Sequence, residues 1–394
     1  MSRNWDAFKF ELRYEGSKLR DDLVNLEAYR LSVNRLILPQ EWKQDLQRLY
    51  IVRAVHGTTA IEGNPLTEAE VSRQLTQGER GRQHRDQVHQ QTENAAAAFR
   101  WVEQHFARPR PISLEDILTL HRLLTTDSDE AENVPGRLRA PGHNVQVGSP
   151  DLGGVHRAPP GGDVTERLVR EFLEFINSNR FRSQHPVIQA LAAHFYFVTL
   201  HPFGDGNGRT TRCIEAAILY SGGYNTHGFY SLSNYFYRNR DEYIKTLQYT
   251  RTRWHYDLTQ FLLFGLRGFT EELERINAYV RNRMNRLHYR ELIRRCSERR
   301  VGKRRRLLNE REAELLHGIL DASRPADPFS NEPSKQADRN DLARLIRTLY
   351  RGKSQKTIVR ELDRLTKLGF IEVSFEKGAP EYRVSVNFSA IEHY

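Results

Sequence analysis

A chain of 394 residues exceeds what one hydrophobic core usually organises, so two or three domains are expected. A hydrophobic fraction of 38% and only two, widely separated cysteines, Cys213 and Cys296, exclude wholesale disorder, a disulfide framework and a cysteine-ligated zinc site, and suit a reducing cytoplasm. No secretory start and no bilayer-length apolar run is visible, which leaves no membrane role; the net charge of +10 is local, because residues 281–306 hold twelve Lys or Arg against two Glu.

The first block, residues 1–111, reads as an N-terminal helical region after an extended start. Pro39-Gln40-Glu41 opens a helix that Leu46, Leu49, Val52, Arg53 and His56 continue, and a second helix is predicted over 93–106, with Ala95, Ala96, Ala97 and Ala98 as a small-residue packing face. The second block, 112–280, starts with the capping-box-like Ser113-Leu114-Glu115-Asp116 before Ile117, Leu120 and Leu124. Between 136 and 163 the character changes: Val145 and Val147 alternate with polar residues among many Gly and Pro, which predicts a short hairpin and loop. Helical periodicity resumes over 165–176 and 187–200, and again over 208–220, where Gly222-Gly223 stops it.

Residues 281–306 form a basic helical connector with Arg on several faces. Such a run is first a solvated surface; docking to nucleic acid or an acidic protein is the competing reading. In the third block, 307–394, helices are predicted over 311–322, 339–347 and 354–368. A hairpin over 370–375 and 381–386 follows, joined by Lys377-Gly378-Ala379-Pro380. Three helices then a hairpin describe a winged helix-turn-helix.

The chemistry concentrates in His201-Pro202-Phe203-Gly204-Asp205-Gly206-Asn207-Gly208-Arg209-Thr210-Thr211-Arg212. Glycine at every second position lets backbone N–H groups converge on an anion, and the helix that follows aims its positive end at the same place. Arg209 and Arg212, three residues apart, can face one polyphosphate with forked donors. Asp205 can hold a magnesium ion bridging phosphate oxygens, and His201 can take a proton from an attacking hydroxyl. Phe203 reads as a core anchor.

This segment resembles the signature of Fic-domain proteins, His-x-Phe-x-(Asp/Glu)-Gly-Asn-Gly-Arg-x-x-Arg, at every fixed position. The resemblance implies a mainly α fold: a Fic-type helical core with a short β-hairpin flap, here beginning Val145-Gln146-Val147-Gly148, followed by the winged helix domain. It implies transfer of AMP from ATP to Ser, Thr or Tyr hydroxyls of target proteins and of the chain itself, with Mg2+ as cofactor. His201 would be the base and Asp205 the metal ligand. Gly206, Asn207, Gly208, Arg209 and Arg212 would bind ATP, and the flap would position the target by strand addition.

Thr58-Thr59-Ala60-Ile61-Glu62-Gly63-Asn64 resembles the family's inhibitory motif, in which a glutamate, here Glu62, pairs with the second motif arginine, here Arg212. Removal of AMP, or transfer of another nucleotide or phosphate group, is the alternative enzymatic reading. A DNA-binding regulator with a nucleotide-sensing Fic core is the alternative outside catalysis. Ser354, Gln355, Lys356, Thr357, Arg360 and Arg364 lie on the candidate recognition helix, while Ile358, Val359, Leu362 and Leu365 are expected in its core and Glu361 and Asp363 temper DNA affinity. DNA or protein docking there, and a homodimer, are left open.

Overall fold

The computed structural model describes residues 5–35, 38–77, 86–127, 133–224, 231–298, 300–301, 305–323, 336–375 and 382–394. The chain divides into two compact units, Met1–Glu274 and Arg275–Tyr394.

In the first unit a 3-10 turn, Trp5–Ala7, precedes α1 (Gly16–Asn34), α2 (Gln40–Ile61), α3 (Glu68–Gln77), α4 (Gln87–His105) and α5 (Leu114–Thr125). A hairpin of β1 (Gln146–Ser149) and β2 (Gly154–Arg157) interrupts the helices. Then come α6 (Asp163–Asn177), α7 (Asn179–Arg182), α8 (Pro186–Leu200), α9 (Asn207–Ser221), α10 (Leu232–Arg238), α11 (Arg240–Arg251) and α12 (Thr259–Glu298).

Helix α8 is apolar all round, and residues 191–200 are all buried, as such a helix must be. It packs on α9, and α2, α4, α5 and α6 close around the pair. Ala95, Ala96 and Ala98 on α4 are buried, their small side chains allowing close approach to its neighbours. The start of α5 is a capping box: the Ser113 side chain accepts from Asp116 N–H and the Asp116 carboxylate accepts from Ser113 N–H. In the second half of α2 every residue from 52 to 61 is buried, polar ones included. Gly57 lets α10 approach there, since a Cβ would sit 2.6 Å from the Asn234 nitrogen. Glu272 of α12 binds Arg53 of α2 (2.9 Å) and Arg238 of α10 (2.5 Å), so one buried carboxylate ties three helices together.

The second unit contains the end of α12, the two-residue strands β3 (Arg300–Val301) and β4 (Arg305–Arg306), α13 (Glu310–Ala322), α14 (Arg339–Leu349), α15 (Gln355–Lys367), β5 (Ile371–Phe375), β6 (Tyr382–Val386) and α16 (Ala390–His393). Strands β5 and β6 pair antiparallel, and Ala337 makes one further bridge to Val384. The expected connecting turn Lys377-Gly378-Ala379-Pro380 lies outside the described residues. Tyr289, Leu292, Ile293 and Cys296 of α12 belong to this unit's hydrophobic core, so the basic stretch is one side of a packed helix rather than a free connector. Its arginines are largely engaged at home. Arg286 donates to the carbonyls of Leu320 and Ser323, Arg290 pairs with Asp321, and Arg294 pairs with Glu291 and Glu298.

Candidate functional site

Helix α8 ends at His201, whose φ of +47° is a left-handed conformation that costs a non-glycine residue about 1 kcal/mol. The surroundings over-determine it. His201 N–H donates to the Phe197 carbonyl (3.0 Å), while its own carbonyl accepts from Arg139 Nε (2.9 Å). Arg139, only 3% exposed, also donates from its side chain to the carbonyls of His143 (2.7 Å) and Pro159 (2.9 Å), and from its backbone to that of Pro202 (2.9 Å). One fork therefore joins both flanks of the hairpin to the start of the motif, a geometry that needs the several fixed donors of a guanidinium.

Phe203 is fully buried and lies flat on His121, with ring centroids 3.7 Å apart. His121 Nδ1 accepts from Gly136 N–H (2.9 Å), so its Nε2–H donates to the Asp205 carbonyl (3.0 Å) and the ring is neutral. Burial agrees, pushing this imidazole down to about 4. Asn207 closes the turn rather than reaching outward: its side chain accepts from Phe203 N–H and donates to the Phe203 carbonyl, both at 2.9 Å. At Gly206, φ is +73° and a Cβ would lie 2.7 Å from Thr125 Cγ2, so glycine is required.

His201 itself is pushed down to about 4, chiefly by burial, with Arg251 and Arg139 adding to the effect. It is neutral at pH 7. Its Nδ1 lies 3.3 Å from the Val198 carbonyl, which can only accept, so Nδ1 carries the proton and Nε2 the lone pair. This is the protonation state a general base requires.

The two motif arginines part company. Arg209 pairs with Asp205 and donates to the Leu124 carbonyl (3.4 Å), whereas Arg212 donates from Nε to Thr58 Oγ1 (2.7 Å) and from Nη2 to the Thr58 carbonyl (3.0 Å) and Glu62 Oε1 (2.6 Å). Glu62 Oε1 lies 2.2 Å from the point a Cβ would occupy at Gly208, which places this carboxylate over the first turn of α9. Amides in a first turn have no intrahelical partner, and the helix dipole favours an anion there.

These groups line a cavity of about 380 Å³ that includes Glu62, His201, Gly208 and Arg212 on one side and Val147, Gly148 and Ser149 of the hairpin on another. The remaining wall is α11, which contributes Arg240, Tyr243, Ile244, Leu247, Gln248 and Arg251 at helical spacing. Behind it, Glu215, His194 and Tyr243 form a buried chain (2.6 and 2.8 Å); burial lowers His194, so neutral His194 donates to Glu215 and accepts from the Tyr243 hydroxyl. Neither Arg139 nor the α11 wall stands out in the sequence.

The hairpin pairs Val147 with His156 and Gly148 with Val155. Gly148 has φ +96° and would carry a Cβ 2.5 Å from the Gly154 carbonyl oxygen. Val145 extends the pairing, its carbonyl accepting from Ala158 N–H (3.1 Å), and His156 Nε2 bonds the Thr199 carbonyl (2.8 Å), which moors β2 to the end of α8. Among the described residues the outer edge of β1, starting at Gln146, pairs with no strand.

No group of three or more His, Cys, Asp or Glu among the described residues is arranged to hold a metal. Asp205, a third exposed and bonded to Arg209 through Oδ2, still fits magnesium, which takes one or two carboxylates and completes its shell with substrate phosphates and water.

Residues 111–219, which contain this turn and both helices beside it, match the model of the Fic/DOC family. They form a Fic domain. Proteins named protein adenylyltransferase Fic from Drosophila ananassae and Drosophila willistoni are 30% identical over 175 residues and 27% identical over 207. Those matches cover 43% and 51% of this chain but 32% and 38% of the relatives, so the chain spans about a third of the length of the curated relatives it matches. The solved structure of a Fic family protein from Desulfovibrio desulfuricans G20 superposes over 93% of this chain and 95% of that one, with a TM-score of 0.53 and 22% identity. Fic-1 from C. elegans covers 66% of this chain and 71% of that one, with a TM-score of 0.52 and 22% identity. The mainly helical fold around the Fic domain is therefore shared with both.

Proposed function

We propose that the chain is a protein adenylyltransferase restrained by Glu62. What carries the reading is that one cavity gathers a neutral histidine, the anion-binding start of α9 and the open edge of a hairpin. A target segment adds to the edge of β1 through its backbone and presents a Ser, Thr or Tyr hydroxyl. His201 Nε2 takes the hydroxyl proton as its oxygen bonds to the α-phosphorus of ATP. The bond from that phosphorus to the bridging oxygen breaks, and pyrophosphate leaves.

The Gly206 and Gly208 backbone and Arg212 hold the phosphates; the Asn207 side chain acts by keeping the turn closed, and Arg209 by orienting Asp205. Asp205 would hold Mg2+, which neutralises phosphate charge when bound. Glu62 takes the place and the arginine that a terminal phosphate needs, and repels that anion. A cytoplasmic setting suits the free, buried thiols of Cys213 and Cys296.

The test is Glu62→Gly incubated with each nucleoside triphosphate and magnesium, followed by intact mass measurement of the chain. A gain of one AMP, from ATP alone and at least tenfold faster than in the parent protein, is expected. Equal labelling of both proteins removes Glu62 as the restraint, and the added mass of another group replaces AMP. Glu62 also stands in the cavity where it could orient a water, so loss of AMP from a pre-modified target, abolished by Glu62→Gly, marks the reverse activity.

A further inference from the structure

The most basic stretch of the sequence is not the most available one. Residues 281–298 of α12 have several guanidinium groups occupied by carbonyls and carboxylates of their own unit. Residues 344–360 hold six Lys or Arg and no Asp or Glu. Arg347, Arg351, Lys353, Lys356 and Arg360 are all exposed.

Of the two acids expected to weaken this surface, Glu361 is turned away from it, while Asp363 stays exposed one turn beyond Val359 and Arg360 with its charge offset by Lys367. Glu361 is 4% exposed and accepts from Arg311 (2.7 Å), and Asp363 is paired with Lys367 (2.7 Å). Arg364, expected to face outward, is instead drawn to Glu312 (2.6 Å) and to the Leu307 carbonyl (2.6 Å). Those inward pairs fix the rotation of α15. The face left over carries Gln355, Lys356, Val359 and Arg360, at helical neighbour spacing. Val359, expected in the core, is 58% exposed, while Leu365 is fully buried.

We propose that this face of α15 binds double-stranded DNA in the major groove. The groove is wide enough for one helix, and side chains near the start of such a helix reach base edges. Lys356 and Arg360 match the paired acceptors of guanine, Gln355 matches adenine, and the Val359 methyls match the methyl group of thymine. Arg351 and Lys353, in the turn before α15, are placed for phosphates, as is Arg347 at the end of α14. The helix is held by the pairs Arg311–Glu361 and Arg364–Glu312 and by the Ser354 cap, which accepts from Thr357 N–H. The element order, with three helices, a hairpin and a bridge from Ala337 to its second strand, supports a winged helix-turn-helix. Neutralised phosphates release counterions, so affinity must fall steeply with salt.

Fluorescence anisotropy of a mixed-sequence 30-base-pair duplex, titrated with the full chain from 50 to 300 mM KCl, tests this. The three phosphate-facing groups predict a slope of log K against log salt of about −3. Lys356→Ala with Arg360→Ala should weaken binding at least tenfold at 100 mM while leaving the salt slope nearly as in the parent, because both are assigned to base edges. Self-modification and the melting temperature should be unchanged, because neither side chain belongs to the cavity or a core. No duplex binding at 50 mM KCl overturns the proposal, as does equal binding by parent and variant, which would move the site elsewhere. Polyglutamate that competes as well as unlabelled duplex also overturns it, making the face a dock for acidic protein.

Discussion

Arginine serves opposite ends in the first unit and along residues 347–360 of the second. Around the motif Arg53, Arg139 and Arg212 are nearly inaccessible, and each is tied to a carboxylate or to backbone carbonyls. Along 347–360 the basic groups stand in solvent with no carboxylate on their stretch of chain. A buried cation must find partners within the fold and thereby fixes a position; an exposed one keeps its field for an incoming polyanion. Local charge density in a sequence does not separate the two. Which carboxylates the fold turns toward each group does.

The comparison can be broken most forcefully at the proposed base. His201→Ala should lower transfer at least a thousandfold in a single-turnover assay while ATP still binds; retained transfer would remove His201 from that role. Next, Glu272→Ala leaves Arg53 without its 2.9 Å partner and should cost about 3 kcal/mol or more in urea unfolding. A loss below 1 kcal/mol would show that the α2–α10–α12 tie is dispensable. Arg139→Met should then lower kcat about a hundredfold with little change in KM, because it releases the His201 carbonyl while leaving the phosphate cradle intact. Partial rescue by Arg139→Lys is expected, and a change confined to KM would contradict the positioning role.

The smallest effect concerns acid. His121 and His201 both sit near 4 in the folded chain, well below an ordinary imidazole near 6.5, so the unfolded state binds more protons between those values. Their stabilising contribution is present above pH 6.5 and is lost as pH falls toward 4. Between pH 7 and 5.5 each should remove about 1 kcal/mol, read from urea titrations at the two values. Unchanged stability would mean that these rings gain partners on protonation.

Much of this was legible in the sequence because the informative residues are neighbours. The motif lies within twelve consecutive positions, and the helices on either side were marked by an apolar run and a double glycine. The hairpin of the second unit was marked by alternation, and the start of α5 in the first by its Ser113 capping box. What escaped detection depends on distance along the chain. Arg139 carries no signal of its own until the fold brings residues 143, 159 and 201 to it. The face of α11 mixes Arg, Tyr, Leu and Gln, a pattern that reads equally as surface or as cavity wall. Helices α1, α3 and α10 carry weak or short apolar periods and take their places from packing. Spacing suggested that Arg209 and Arg212 share a ligand, and it also places Asp205 one turn before Arg209; what it does not reveal is that Thr58 and Glu62, far back in the chain, lie beside Arg212.

One consequence of the Glu62–Arg212 contact lies in how it would respond to concentration. The carboxylate sits one residue beyond α2 in the same compact unit, so its effective concentration at Arg212 is set by the chain and not by the amount of protein. Dilution cannot relieve it, and a second copy is not needed to impose it. On the proposed function, free nucleotide would compete with it directly, and the apparent KM would rise by a factor of one plus the ratio of engaged to disengaged Glu62. On the proposed function, output would follow the nucleotide supply or anything that shifts the end of α2, and would be indifferent to how many copies of the protein are present.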